Sequence, residues 1–315
     1  MTHKNKLLIL ARDPTRYAEL IKSLDFTDLE LVAFDSVEES KKYVENCNII
    51  LGAPKLIALI LVAANKLQWV QSIFAGVEDL LSSPKRTDYI LTGVKGVFGS
   101  LMSEYVFAYI LAMERNILEV YENQQRKVWQ NIQYKSLRGR VIGVCGLGSV
   151  GLHIARTAKH FGMKVWGYKR SYEEVPGIDR IFTQSDFKEF LSNPDYIVIT
   201  LPSTPDTLHL MDYDTIKAMK SSAVLINVGR GSVVSESALV RALEEKLIRG
   251  AVLDVFEAEP LPEESRLWAL PNVMITPHNS GFSFPEDIVR IFAENYRRFV
   301  DKKPLLHIVD FSRGY

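Results

Sequence analysis

Residues 141–161 constrain the fold of this chain more than any other stretch. An apolar run, Val141-Ile142-Gly143-Val144-Cys145, leads straight into Gly146, Gly148 and Gly151 at GxGxxG spacing. From Val150 to Phe161 the apolar side chains recur at helical intervals. A strand, a glycine turn and a helix in this order present backbone N–H groups at a helix N-terminus, which suits a pyrophosphate. Gly146 permits the tight turn, Gly148 lets a phosphate approach the backbone, and Gly151 lets the helix pack against the strand. The expectation is a dinucleotide-binding unit of the Rossmann type, with Gly146, Gly148, Ser149, Val150 and Gly151 at the pyrophosphate.

The next strand of such a unit, Lys164 to Tyr168, normally ends near an acidic residue that bonds the adenosine ribose. Here Lys169-Arg170-Ser171 follows, and no carboxylate occurs before Glu173. A carboxylate repels a 2′-phosphate, whereas an ammonium and a guanidinium attract it and can pair with its oxygens. NADP(H) is therefore the expected cofactor, with NAD(H) possible.

At 315 residues the chain exceeds one ordinary core and points to two domains. The charged residues cancel to a formal net charge of zero, which removes a general electrostatic case for nucleic-acid or membrane partners. Cys47 and Cys145 are too few for a disulfide framework, and Cys145 is expected as a small apolar core residue. No His/Asp/Glu spacing suggests a metal. The most apolar stretch, Leu56 to Ala64, is too short to span a bilayer and follows Pro54-Lys55. The opening MTHKNKLLIL enters a strand-like run without a cleavage pattern, so a cytoplasmic, soluble protein is expected.

Strand and helix signals alternate along the first hundred residues, at Leu7 to Leu10, Tyr17 to Leu24, Leu29 to Phe34, Glu38 to Val44, Asn48 to Leu51, Leu56 to Ala64, Gln68 to Ile73 and Tyr89 to Leu91. A long helical stretch from Ser103 to about Gln130 precedes the glycine unit. Further strands are expected at Tyr196 to Thr200, Ala223 to Asn227, Gly250 to Asp254 and Val273 to Ile275, with helices such as Glu236 to Lys246 between them. A last helix, about Pro285 to Asp301, has no nucleotide feature and is expected to return to the first domain. Alternation of this kind implies parallel sheets covered on both faces. The predicted class is α/β, with two doubly wound parallel-sheet domains: a flavodoxin-like substrate domain, 1–99 plus 286–315, and a Rossmann cofactor domain, 100–285.

Three segments just past strands carry polar groups that core packing would not select. They are Asn227-Val228-Gly229-Arg230-Gly231, Asp254-Val255-Phe256-Glu257-Ala258-Glu259-Pro260 and Thr276-Pro277-His278-Asn279. Ligands of open α/β sheets bind outside the carboxyl ends of the strands. An arginine, a glutamate and a histidine recurring there form a candidate catalytic cluster of Arg230, Glu259 and His278.

Together these segments resemble the D-isomer-specific 2-hydroxyacid dehydrogenase family. The likeness covers nearly the whole chain, through LQWVQSIFAGVEDL (67–80), LRGRVIGVCGLGSVG (137–151), LPSTPDT (201–207), LINVGRG (225–231), GAVLDVFEAEPLP (250–262) and LWALPNVMITPH (267–278). The closing VDFSRGY and the length resemble the glyoxylate/hydroxypyruvate reductase branch. The resemblance implies hydride transfer between a nicotinamide and a small 2-oxo acid, giving a D-2-hydroxy acid.

On this likeness His278 is the general acid, Glu259 bonds its other ring nitrogen, and Arg230 binds the substrate's carboxylate and carbonyl oxygen. Ala75, Gly76 and Val77 offer backbone N–H groups to the substrate carboxylate. Asp254 accepts from the nicotinamide carboxamide, and Pro202, Val228, Gly229, Arg230, His278, Ser280 and Gly281 complete the cofactor contacts. The long helical stretch resembles the family's dimerisation region and implies a homodimer.

Several positions depart from the family pattern. Lys169 replaces the usual acidic residue, Glu78 stands where aspartate is usual, and Asn279-Ser280-Gly281 replaces small apolar residues after the histidine. Phe74 and Trp268 are expected to pack. The remaining histidines, His3, His153, His160, His209 and His307, show no partner pattern. Two other classes remain open on these residues. One is a non-enzymatic NAD(P)H-sensing binding protein like the family's corepressor relatives, against which the complete Arg230, Glu259 and His278 set counts. The other is a different nicotinamide enzyme, acting on amino acids or on phosphite; phosphite oxidation reduces NAD, which suits Lys169-Arg170 poorly.

Overall fold

The computed structural model describes residues 4–82 and 86–312, so His3 and the last three residues of VDFSRGY lie outside the described residues. Two compact units form, Met1–Val97 with Ser283–Tyr315 and Phe98–Phe282. In chain order the first begins with β1 (Asn5–Leu10), α1 (Pro14–Lys22), β2 (Leu29–Phe34), α2 (Val37–Val44), β3 (Ile49–Gly52), α3 (Pro54–Ala58), β4 (Trp69–Ser72), α4 (Glu78–Ser82) and β5 (Ile90–Thr92). The second holds α5 (Gly99–Glu114), α6 (Ile117–Gln125), β6 (Val141–Cys145), α7 (Ser149–His160), β7 (Lys164–Tyr168), β8 (Arg180–Phe182), α8 (Phe187–Ser192) and β9 (Tyr196–Ile199). It continues through α9 (Tyr213–Lys217), β10 (Val224–Asn227), α10 (Glu236–Glu244), β11 (Gly250–Leu253) and β12 (Val273–Ile275), and α11 (Pro285–Val300) then returns to the first unit.

Among the described residues each unit contains one parallel sheet. The first has the order β2-β1-β3-β4-β5, the flavodoxin-like arrangement. The second runs β12-β11-β10-β9-β6-β7-β8, the Rossmann order extended by β12. Strands such as VIGVC, YIVI and VLIN are buried along their full length, as expected where helices cover both faces of a parallel sheet. Cys145 is part of that core, and burial pushes its thiol well above the ordinary range, so it is a packing residue. In the first unit α11 lays its apolar face on the sheet, with Phe292 stacked on the Trp69 indole at 5.2 Å. No helix among the described residues is long and apolar enough to cross a membrane.

The end of the second sheet opposite its carboxyl ends is tied by one acidic residue. Glu114, at the last turn of α5, has a side chain only 4% exposed and pairs with Arg140 at 3.0 Å and Arg249 at 2.7 Å. These arginines immediately precede β6 and β11, so a single carboxylate clasps the helix to two strand starts. A buried charge held between two guanidiniums has its hydrogen bonds supplied, which is what makes its burial tolerable.

Three expectations are corrected. The stretch from Ser103 to Gln130 is two helices, because Asn116 takes a left-handed φ of 51° that interrupts α-helical bonding after Arg115. The second of them ends at Gln125, before Lys127 turns left-handed with φ 55°. Leu56 to Ala64 is not one helix either: α3 stops at Ala58, and a short 3-10 turn follows over Leu61–Ala63, leaving Leu59 and Val62 exposed. Phe74 and Trp268 are not core residues but lie about half exposed, Trp268 donating its indole N–H to the Pro262 carbonyl at 3.0 Å.

Candidate functional site

In the second unit every candidate cofactor or catalytic residue lies in a segment that follows the carboxyl end of a strand. β6 feeds the glycine turn, β7 leads to Lys169, Arg170 and Ser171, and β9 leads to Pro202. Val228, Gly229 and Arg230 follow β10, Asp254 and Glu259 follow β11, and His278, Ser280 and Gly281 follow β12. Parallel strands bring these loops to one edge of the sheet. In the first unit Ala75, Gly76 and Val77 follow β4, between that strand and α4.

The glycine turn has the geometry its spacing predicts. Gly146 has φ 100°, a left-handed value that favours glycine. A Cβ at Gly151 would lie 1.9 Å from the Gly146 carbonyl oxygen, so only glycine lets α7 pack this closely. A Cβ at Gly148 would meet nothing within 4 Å, leaving open space where the helix begins. No side chain caps α7, so its first N–H groups, from Ser149, Val150 and Gly151, have no partner within the helix. Thr200, which sequence reasoning missed, donates its hydroxyl to the Cys145 and Gly146 carbonyls at 3.0 and 2.8 Å and so ties the turn to the end of β9. This uncapped helix start is a fitting cradle for a dinucleotide pyrophosphate.

At the far end of that turn, Lys169 and Arg170 are not bare cations. Lys169 Nζ lies 2.5 Å from Glu173 and Arg170 lies 3.6 Å from Asp206. The ammonium and its hydrogen bond hold the Glu173 carboxyl below the usual carboxylate range. Such exposed pairs are weak, being solvated and screened.

The Arg230 loop is built by backbone contact. A Cβ at Gly229 would lie 2.7 Å from the Leu201 carbonyl oxygen, and one at Gly231 would lie 1.9 Å from the Phe256 backbone. Glycine on both sides therefore brings the loops after β9, β10 and β11 together, and the arginine between them is held at a fixed place. Asn227 clamps the turn, its amide donating to the Arg230 carbonyl at 3.0 Å and its oxygen accepting from Gly229 N–H at 3.1 Å. The guanidinium donates to the Gly229 carbonyl at 2.9 Å.

Glu259 and His278 meet directly. The imidazole Nδ1 lies 2.7 Å from Glu259 Oε2, while the other carboxylate oxygen accepts from Phe256 N–H at 3.0 Å. Because a carboxylate only accepts, the Nδ1 position carries a proton and Nε2 is left for exchange. His278 itself has a left-handed φ of 51°, a conformation costing about 1–2 kcal/mol outside glycine. Asp254 maintains it. Its backbone carbonyl accepts from His278 N–H at 2.9 Å, and its fully buried carboxylate accepts from Asn279 N–H at 2.9 Å and Ser280 N–H at 3.0 Å.

The same carboxylate also accepts from the Thr276 hydroxyl at 2.5 Å, and that hydroxyl meets Tyr105 of α5 at 2.6 Å. Ser280 Oγ is buried and has no protein partner, and Gly281 packs against Phe98 and Met102. A polar atom buried and unpaired beside the histidine loop suits a bound amide, which fits a nicotinamide there. Tyr105 was not singled out from sequence, and Thr276 was named only as part of the histidine segment, without a role. A tyrosine at a strongly apolar helix position was the available signal.

Two other histidines have partners that the sequence pattern did not show. His153 Nδ1 bonds the Ser103 hydroxyl at 2.7 Å, and His209 Nε2 lies 3.1 Å from Glu257. Both pairs bridge segments far apart in the chain.

The profile described as D-isomer specific 2-hydroxyacid dehydrogenase, NAD binding domain, matches residues 107–280. The chain belongs to the D-isomer specific 2-hydroxyacid dehydrogenase family. It is similar to a glyoxylate reductase of Korarchaeum cryptofilum, 31% identical over 285 residues that cover 84% of each chain. Among solved structures, a 2-hydroxyacid dehydrogenase family protein from Aeromonas salmonicida superposes with a TM-score of 0.95 at 42% identity, over 98% of this chain and 99% of the other. An NADPH-dependent glyoxylate/hydroxypyruvate reductase from Sinorhizobium meliloti, solved with NADP and sulfate, gives a TM-score of 0.88 at 27% identity over 99% of this dehydrogenase chain and 100% of its own.

Proposed function

We propose that this dehydrogenase reduces a small 2-oxo acid, of the glyoxylate or hydroxypyruvate kind, to the D-2-hydroxy acid with NADPH as the preferred reductant. The observation that carries the reading is the Glu259–His278 pair, set by Asp254 at the strand ends where the glycine-flanked Arg230 also lies. The similarity to reductases named for glyoxylate and hydroxypyruvate supports the substrate class.

A bound reduced nicotinamide supplies the hydride. His278 gives its Nε2 proton to the carbonyl oxygen and keeps the Nδ1 proton, hydrogen-bonded to Glu259, so the ring ends as neutral imidazole. Glu259 fixes the plane of the ring through its bond to Nδ1. Arg230 offers a planar fork of donors to the substrate's carboxylate and carbonyl oxygen, stabilising the charge that grows on that oxygen. Asp254 was expected at the carboxamide, but its carboxylate has no exposed surface and is spent on Thr276, Asn279 and Ser280, so it acts on the site through the histidine loop.

Turnover of glyoxylate, hydroxypyruvate and pyruvate, followed through nicotinamide absorbance, tests this reading. His278→Ala should lower kcat by about 10²–10⁴, the usual worth of a positioned acid–base group, while NADPH Kd changes little. A variant retaining more than about a tenth of wild-type turnover, with chemistry rate-limiting, assigns the proton to another group.

The cations after β7 support NADPH because a 2′-phosphate, close to doubly charged, offers Lys169 and Arg170 more than Glu173 and Asp206 do. The carboxylates moderate that preference, which should be roughly tenfold or more over NADH in kcat/KM and should shrink with salt. Lys169→Asp should move the preference towards NADH, and Glu173→Gln should enlarge it. Equal use of both cofactors by the wild type at low ionic strength contradicts the electrostatic assignment.

Two copies associate, on this proposal, through α6 and the segment after it. Leu118, Tyr121 and Val128 are about half exposed and Trp129 is fully exposed, a concentration of apolar surface unusual for a lone chain. Sedimentation should give a dimer for the wild type and a monomer for Leu118→Glu combined with Tyr121→Glu; a wild-type monomer at micromolar concentration removes this assignment.

A further inference from the structure

The histidine loop is connected to α5 by hydroxyl groups that the reaction described above does not use. Tyr105 OH lies 2.6 Å from Thr276 Oγ1, and Thr276 Oγ1 lies 2.5 Å from Asp254 Oδ1. The proton order follows from the donor inventory. A carboxylate only accepts, so the single Thr276 proton goes to Asp254, and Tyr105 must donate to Thr276. Burial raises the Tyr105 phenol well above its ordinary range, so it remains a donor wherever the enzyme is folded. The order Tyr105 to Thr276 to Asp254 therefore has one direction, and each bond in it polarises the next.

Asp254 is where that chain ends and the loop begins. The oxygen that receives the Thr276 proton, Oδ1, also receives Asn279 N–H, and its companion receives Ser280 N–H. His278 stands between Thr276 and these two amides with its left-handed φ of 51°. A rotation of the Asp254 carboxylate would release both amides and, with them, the constraint on His278. Thr276 guards against that rotation only while its hydroxyl faces Asp254. Without a donor behind it, the hydroxyl is free to turn, although its branched side chain limits the available rotamers.

We infer that Tyr105 and Thr276 are positioning residues for the acid–base histidine, acting through the Asp254 carboxylate. The inference rests on the reductase reading for its kinetic consequence, but the geometry it concerns exists without substrate or cofactor.

Amide hydrogen exchange of the full chain without cofactor, paired with steady-state kinetics, tests it. Tyr105→Phe, which keeps the ring and removes one hydroxyl, should raise exchange at Asn279 and Ser280 by roughly tenfold, about the scale of one lost buried hydrogen bond. The helix and strand amides around it should be unaffected. In turnover, kcat should fall roughly tenfold while KM stays within about twofold, since the proton donor and not substrate binding is displaced.

Thr276→Val should reproduce both effects, Thr276→Ser should restore them towards wild type, and Tyr105→Phe with Thr276→Val together should be scarcely worse than either alone. Unchanged exchange at Asn279 and Ser280 in Tyr105→Phe overturns the inference, as do additive effects in the double variant. If exchange responds as expected but no 2-oxo acid is reduced by the wild type, the positioning stands and the reductase reading fails.

Discussion

The buried carboxylate of Asp254 is the interaction on which the candidate site depends. It is fully enclosed at the end of β11 and accepts three hydrogen bonds, from a side chain of β12's following residue and from two backbone amides beyond it. Removing a carboxylate from water costs several kcal/mol unless donors replace the lost solvent. Here the donors come from the very turn that carries His278. The compensation for burial and the shape of the histidine loop are thus the same set of bonds. A left-handed histidine, unfavourable alone, persists because relaxing it would strand the charge.

The second constraint is the nearness of backbones. Gly151 against Gly146, Gly229 against Leu201 and Gly231 against Phe256 are contacts in which no Cβ fits. They draw the loops after β6, β9, β10 and β11 into one layer, and the polar residues between the glycines inherit fixed positions from it. Arg230 is the clearest case. Its neighbours on both sides are held by contact, and Asn227 closes the turn, so the backbone that carries the guanidinium has little conformational freedom.

Much of this was legible from residues alone, and the reasons are physical. Parallel strands covered on both faces need unbroken apolar runs, so β6, β9, β10 and β11 announce themselves. Gly146, Gly148 and Gly151 stand at the spacing a tight turn under a helix needs and so mark that turn in the sequence, whereas the close approaches of Gly229 and Gly231 show only in the folded chain. What stayed hidden depended on distant partners or on single backbone angles. Nothing in ERNILEV marks Asn116 as left-handed, and so one helix was expected where there are two. Tyr105 meets Thr276 across 171 positions, and Asp206 meets Arg170 across a strand connection, contacts that only the folded sheet creates. The Lys169–Glu173 pair lies four residues apart, yet the stretch holding it is not helical, so helical spacing gave no reason to expect it.

On the proposed reading, a histidine backed by a carboxylate, an arginine between glycines and an uncapped helix start together serve the reduction of a carbonyl that sits beside a carboxylate. The proposed reading therefore includes the handedness of the product, which the family resemblance gives as D. The most direct measurement is the configuration of the glycerate formed from hydroxypyruvate and NADPH, read by chiral chromatography. D-glycerate in large excess is the predicted product; L-glycerate, a racemic mixture, or no enzyme-dependent glycerate would contradict the account.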